Sequence, residues 1–292
     1  MPNLFEPFAV LFGYVLNFLY NLVNNYGLAI ILFTIIIKLI MLPISIKQQK
    51  TMKKSAKLQE KIKTIQFKYK NDQEKMNQEM MKIYKEEKMS PFSGCLTTLV
   101  QFVLLLSIFY VVRSPLTYMK KVDKSLIDNY ITNMKEENIT ISNYPEIDVI
   151  REKGKEDDNV FINTDFLGLD LSQVPKQNWS DYRVWIIPGL YIISSFISIR
   201  LTTKMQEKKN KEKNKDKAIE VNNSKEDKKD NDNEGDAMMQ ANKTMSWMMP
   251  ILSISIAIIA PLGLALYWLI NNILMIGERL VLDKLIKTEE EG

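Results

Sequence analysis

The chain contains no histidine, and Cys95 is its one cysteine. Without histidine it lacks the usual general base near neutral pH and the commonest zinc ligand. A lone cysteine excludes an intrachain disulfide and any cysteine-based metal cluster; Cys95 itself reads as a small buried residue. Neither a P-loop nor a dinucleotide fingerprint occurs, so nucleotide-driven pumping and nicotinamide chemistry are not suggested. An enzyme is therefore not expected, nor is a cofactor or a bound metal. Residues 4–23 have no basic leader, no small-residue cleavage site and no nearby cysteine for lipid attachment, so no cleaved signal peptide is expected.

Charge is scarce in blocks, although 25% of all residues are charged. Such segregation of apolar from charged residues marks an all-α polytopic membrane protein. Five apolar stretches are long enough to read as transmembrane helices, at 25–46, 92–114, 183–201, 245–260 and 262–282. The fourth is short and depends on its hairpin partner. Residues 1–24 carry Leu4, Phe8, Leu11, Phe12, Val15, Leu16, Leu19 and Val23 at helical spacing, with Glu6, Gly13, Asn17, Asn21 and Asn24 on a weaker polar face. They read as an N-terminal interfacial amphipathic helix, with a sixth span as the alternative.

Lys38 interrupts the first stretch, Gly27 to Ile46 (GLAIILFTIIIKLIMLPISI), near its centre. An ammonium there costs about 3 kcal/mol by insertion scales unless it meets water, protein or a counter-ion. Thr34 lies one turn earlier on the same face, giving the helix a narrow polar stripe. The alternative is that the lysine stem snorkels to the inner interface.

Lysine distribution orients the chain. Residues 47–89 hold 13 Lys against 6 acids, whereas residues 115–182 hold 8 Lys plus Arg against 13 acids. The first segment is expected in the cytoplasm, the second outside, and the tail 283–292 in the cytoplasm of a multi-pass cell-membrane protein. Within 47–91, Leu58, Ile62, Ile65 and Tyr69 repeat on one face, and Met76, Met80, Ile83 and Tyr84 on another, with Asn71-Asp72 as a turn. This predicts a cytoplasmic helical hairpin, or a solvated coiled-coil-like spacer. Residues 203–243 mix 11 Lys with 10 acids and almost nothing apolar, so 202–244 is expected to be a disordered linker, with contact to nucleic acid or anionic lipid as the alternative. The extracytoplasmic loop 115–182 is expected to hold short helices near the membrane and little else.

Several runs, in order, resemble the YidC membrane-protein insertases and their mitochondrial and chloroplast relatives. Asn25–Ile31 followed by Lys38 and Leu42–Gln48 is similar to the family's first core span. Lys68–Cys95 is similar to its hairpin leading into the second span, Phe166–Leu171 to a motif before the third, and Met248–Pro250 with Leu266–Asn272 to its closing hairpin. The chain departs by carrying Lys38 where the family usually has arginine, Lys88 where a glycine often ends the hairpin, and an acidic end, Lys287–Gly292, where several relatives have a basic ribosome-binding tail. Lysine depends on its surroundings for its charge more than arginine does. No counterpart of the large periplasmic domain of some members is expected.

The resemblance implies a non-enzymatic insertase in which five helices enclose a hydrophilic groove that receives nascent membrane proteins. Candidate groove residues are Lys38, Thr34, Gln101, Ser195, Ser198, Tyr267, Trp268 and Asn272. Each has a plainer role open to it: Ser195 and Ser198 suit close helix packing, Tyr267 and Trp268 suit packing or interfacial anchoring, and Gln101 suits an interhelical hydrogen bond. Lys53, Lys54, Lys57 and Lys61 are candidate contacts for the ribosome or a targeting factor. Implied partners are nascent chains, the ribosome, the Sec translocon, the signal recognition particle pathway and membrane lipids, with no DNA. Two other classes stay open: a small-solute transporter or channel using the intramembrane lysine, and a membrane-tethered ribosome-binding protein.

Overall fold

The computed structural model describes residues 5–70, 72–87, 93–220 and 254–291. Helix α1 (Glu6–Val23) starts with proline in its first turn, where no N–H is needed, and stops at Asn24 in the left-handed conformation. Helix α2 (Tyr26–Lys68) follows at once, its Leu28 N–H donating to the side chain of the cap residue Asn25 at 3.0 Å. Helix α3 (Gln73–Glu86), capped by Asp72, folds back along the far part of α2, where Lys61 Nζ meets Glu87 Oε1 at 2.5 Å. Helix α4 (Ser93–Arg113) leads through a short π-helical turn, Leu116–Lys120, into α5 (Lys124–Glu136) and α6 (Pro145–Lys153). A two-stranded antiparallel hairpin, β1 (Asp165–Phe166) with β2 (Leu169–Asp170), precedes α7 (Ile186–Glu220). A helical run over 254–259 and helix α8 (Leu262–Glu291) close the described chain.

Among the described residues, four helical stretches are long and apolar enough to cross a bilayer: Glu6–Val23, Tyr26–Thr51, Tyr182–Lys204 and Leu262–Leu282, with Phe102–Arg113 as a shorter apolar piece. The fold is that of an all-α membrane protein. The expected span at 245–260 is described over 254–260, helical over 254–259, and residues 88–92 and 221–253 lie outside the described residues.

Three boundaries differ from expectation. The first span and the first arm of the hairpin are one helix of 43 residues that runs through Pro43; neighbouring turns carry the helix across the one missing N–H. Helix α7 continues to Glu220, across the first part of the linker expected to be disordered. A Lys- and Glu-rich sequence propagates helix readily once a span has nucleated it. Residues 115–182 form a folded cap whose buried residues, including Met134, Ile147, Val149, Ile150, Val160 and Ile162, each no more than 5% exposed, share one core with the bundle. Their weak sequence period hid this, because the partners come from separate short elements.

Helices α2, α7 and α8 run parallel from the cap. A Cβ on Gly263, at the start of α8, would sit 3.3 Å from the ring of Tyr26, at the start of α2. Along α7 and α8 the rings of Tyr191 and Trp268 lie 5.9 Å apart, Asn272 faces Ser194 and Ser195, and Arg279 faces Thr202. Helix α1 touches the same end of the bundle throughout its length. Phe5 stacks on Tyr110, Phe12 meets Phe33 edge-on at 5.7 Å, and Tyr20 accepts from the Asn163 N–H of the cap at 2.8 Å.

Candidate functional site

The polar groups of the bundle concentrate on facing sides of α2, α7 and α8. Lys38 lies about 18 Å along α2 from Tyr26, at 1.5 Å per residue. Its ammonium is 3.5 Å from Glu278 Oε2 on α8, with side chains 19% and 13% exposed. Here is the compensation that an intramembrane lysine requires. Next in sequence, the Arg279 guanidinium turns to α7 and donates to Thr202 Oγ1. Thr34, one turn before Lys38, is buried, and its hydroxyl donates to its own helix at Ile30 O, 2.6 Å away.

Closer to the cap, Asn272 Nδ2 donates to Ser194 Oγ at 2.9 Å and to Ser195 Oγ at 3.2 Å. Ser198 is buried between this group and Thr202, whose hydroxyl donates to the Ser198 carbonyl at 2.8 Å. In lipid, where apolar burial does not distinguish a neighbouring helix from an acyl chain, such small residues and hydrogen bonds hold α7 to α8. Tyr267 and Trp268 are buried on the next turn, with Trp268 against Tyr191. Structure thus brings Ser195, Ser198, Trp268 and Asn272 to one interface and Lys38 to its far end. The Gln101 side chain lies outside the described residues.

Glu278, Arg279, Ser194 and Thr202 escaped the sequence reading. A signal was present: Glu278 and Arg279 are the only charged residues between 262 and 282, and Asn272 to Arg279 repeats at seven residues as Ser195 to Thr202 does. Among the described residues no group of three or more His, Cys, Asp or Glu could hold a metal ion.

At the cap end the bundle is clasped. Tyr26 N–H donates to Asn163 O at 2.9 Å, Asn25 Nδ2 to Asp165 O at 2.6 Å, Gly263 N–H to Leu171 O at 3.0 Å and Leu262 N–H to Gln173 O at 2.9 Å. One segment, 163–173, therefore binds the starts of both α2 and α8. Its hairpin turns at Leu167 and Gly168, both at positive φ (55° and 78°), the pattern of a tight two-residue turn. Asp170 organises the segment by accepting from Thr164 Oγ1, from the hydroxyl and N–H of Ser172, and from Gln173 Nε2. Burial pushes this carboxyl up, but those donors outweigh it and hold the group below its ordinary range. Glu146 shows the opposite balance: burial holds its carboxyl above the ordinary value despite hydrogen bonds from the hydroxyl and N–H of Thr117.

The hairpin is solvated on its outer face. Lys54 and Lys61 are exposed, and the side chains of Lys53 and Lys57 lie outside the described residues. Leu58 is buried at 3%. At the tip, Lys68 and Lys75 both stand over the Tyr69 ring, at 5.4 and 5.8 Å from its centre.

The family model described as 60Kd inner membrane protein matches residues 18–290 of the chain. Proteins named Membrane protein insertase YidC from Francisella tularensis subsp. novicida (strain U112) and from Francisella tularensis subsp. tularensis (strain SCHU S4 / Schu 4) are each 44% identical to it over 104 residues. Those alignments take in 36% of this chain and 19% of the length of each relative.

Proposed function

Because the chain belongs to the 60Kd inner membrane protein family, we propose that it is a non-enzymatic membrane protein insertase whose groove is the polar face shared by α2, α7 and α8. One observation carries the reading: a lysine and a glutamate from separate helices stand partly exposed inside the apolar bundle, while the cap end of those helices is sealed by the clasp. A polar flank of a nascent segment enters from the end opposite the cap and is held there, partly hydrated. It then has less hydrocarbon to cross, and burial of the apolar part drives completion at about 25 cal/mol per Å². Lys38 attracts acidic residues of the client, more strongly than in bulk water because the groove has a lower dielectric.

The orientation proposed is multi-pass, with the cap outside and the hairpin and C-terminus in the cytoplasm, supported by the lysine excess of the hairpin. Helix α1 is proposed to lie along the outer interface. Its partners Ser107 and Phe33 stand only about 10 Å from the cap ends of α4 and α2, which supports that placement. The exposed lysines of the hairpin suit a polyanionic partner such as the ribosome, through which signal recognition particle and Sec contacts would follow.

Reconstitution tests the function. Full-length protein in liposomes should raise protease protection of a single-span client made in vitro, relative to empty liposomes. Lys38→Ala should lower it more for clients with acidic translocated tails than for neutral ones, and equal loss for both would remove the electrostatic role. Orientation is checked in Cys95→Ser protein: Glu156→Cys should react with an impermeant thiol reagent in intact cells, and Gln78→Cys only after lysis.

A further inference from the structure

Three separate elements put exposed apolar side chains at the cap ends of the spans. On α1, Phe18 and Leu22 stand 68% exposed beside the turn into α2. At the tip of the β1–β2 hairpin, Leu167 is 87% exposed. The strand before it packs on the start of α2 so closely that a Cβ on Gly27 would come 2.5 Å from the Phe166 ring. Between the cap and α7, Trp179 and Tyr182 are 68% and 76% exposed. That segment is tied to the same level of the bundle: Lys176 N–H donates to Ile258 O at 3.1 Å, in the helical run just before α8, and Tyr182 opens the apolar stretch Tyr182–Lys204. Trp179 is held edge-on to Trp185, whose indole N–H donates to the Trp179 carbonyl at 3.3 Å.

Leu167 carries the argument furthest. It takes the first position of its two-residue turn at a φ of 55°, a left-handed backbone that favours asparagine there and strains a bulky apolar residue. The turn thus keeps a leucine against its own backbone preference and presents it outward, where water gives nothing in return and hydrocarbon does. We propose that Leu167, Trp179 and Tyr182 form a lipid-docking edge, by which the cap seats in the bilayer leaflet on its own side. The occupant is lipid because the edge continues the exposed apolar face of α1 and lies at the heads of the membrane-spanning stretches, where aromatic rings with a polar tip favour the headgroup boundary. Seated in this way, the segment that clasps α2 and α8 is held at a fixed depth. The inference shares with the proposed function only the placement of α1, and it holds for either orientation of the chain.

Hydroxyl-radical footprinting of wild-type protein in phosphatidylcholine nanodiscs tests this, each residue's oxidation rate being divided by its rate in the unfolded chain. Trp179 and Tyr182 should be protected to the level of Tyr191, which is 7% exposed inside the bundle, although both are far more open on the protein itself. Nitroxides at Leu167→Cys and Phe18→Cys, in Cys95→Ser protein, should both collide with oxygen in preference to an aqueous nickel complex, the reverse of a nitroxide at Glu156→Cys in the cap. Free oxidation of Trp179 and Tyr182, or a Leu167 nitroxide open to nickel, overturns the proposal; such nanodiscs hold no client or partner protein, so that result reassigns the edge to a protein. A Phe18 nitroxide open to nickel beside a shielded Leu167 overturns the placement of α1 and leaves the edge standing. Should Leu167→Cys fail to accumulate, the wild-type footprint decides alone.

Discussion

At the cap end of α2, Tyr26, Ala29, Ile30 and Phe33 are no more than 3% exposed, whereas Leu39, Ile40 and Ile44 further along the same helix are 63%, 58% and 41% exposed. Helix α8 shows the same gradient, from Leu262–Leu269, buried throughout, to Ile273, Leu280 and Val281 at 49%, 45% and 56%. The cap end is joined by backbone hydrogen bonds to a folded segment; the other end holds a loose ion pair. Stability and the proposed function thus occupy opposite ends of the same helices. Rigidity at one end fixes the register in which α2, α7 and α8 present their polar groups, and looseness at the other leaves those groups available.

The largest effect separating the two ends should come from the cap. Asp148 is fully buried, accepts from Ser142 N–H at 2.6 Å and pairs with Arg151 Nη2 at 2.8 Å. Asp148→Ala leaves a mostly buried guanidinium short of a partner and should cost about 3 kcal/mol. Thermal melting of the detergent-solubilised protein should show the loss, with client preference unchanged in whatever folded protein remains.

Acid should weaken the cap next. The Asp170 carboxyl is held below its ordinary value, so its contribution is present above about pH 4, the unfolded value, and is lost as pH falls through the lower folded value. Glu146 works the other way. Its carboxyl is held above the ordinary value, so what protonation adds to stability is fully present below the unfolded value and disappears as pH rises through the folded one. Asp170→Asn should flatten the acid limb of a melting-temperature profile, and an unaltered limb would show that another group controls it.

A smaller change is expected from Asn272→Leu, which removes both hydrogen bonds to the α7 serines. Interhelical hydrogen bonds in membranes average about 0.6 kcal/mol, so melting should fall slightly. Smallest of all in stability is the hairpin: Lys54→Gln with Lys61→Gln touches only exposed groups and should not move the melting temperature. Ribosome co-sedimentation should nevertheless drop, most at low salt; unchanged binding would place the dock elsewhere.

The apolar runs made the long apolar helices α2, α7 and α8 legible, and a stripe at helical spacing such as Leu58, Ile62 and Ile65 pointed to a helical arm, because both depend on local spacing. Lys38 was legible as a charge in need of compensation. Its partner was not, since Glu278 lies 240 residues away and only packing brings the two together. The cap as a folded unit was missed for the same reason: Phe166–Leu171 stood out as a run, but the partners of Asp148 and Asp170 and the clasp on α2 and α8 acquire meaning from contacts between elements, which no window along the chain contains. Ser195 and Asn272 were picked singly, yet their hydrogen bond is a property of two helices in one register.

Helix α2 has a mechanical consequence. From Pro43 to Lys68 it extends about 38 Å as an unbroken rod, and proline is where such a rod bends most readily. A rotation of ~10° at that point carries the hairpin tip by ~7 Å, with Lys38 a little over one turn from the pivot. A bend there swings the hairpin as one arm while Lys38, on the cap side of the pivot, stays in register with α8, so the proline uncouples motion at the tip from the ion pair.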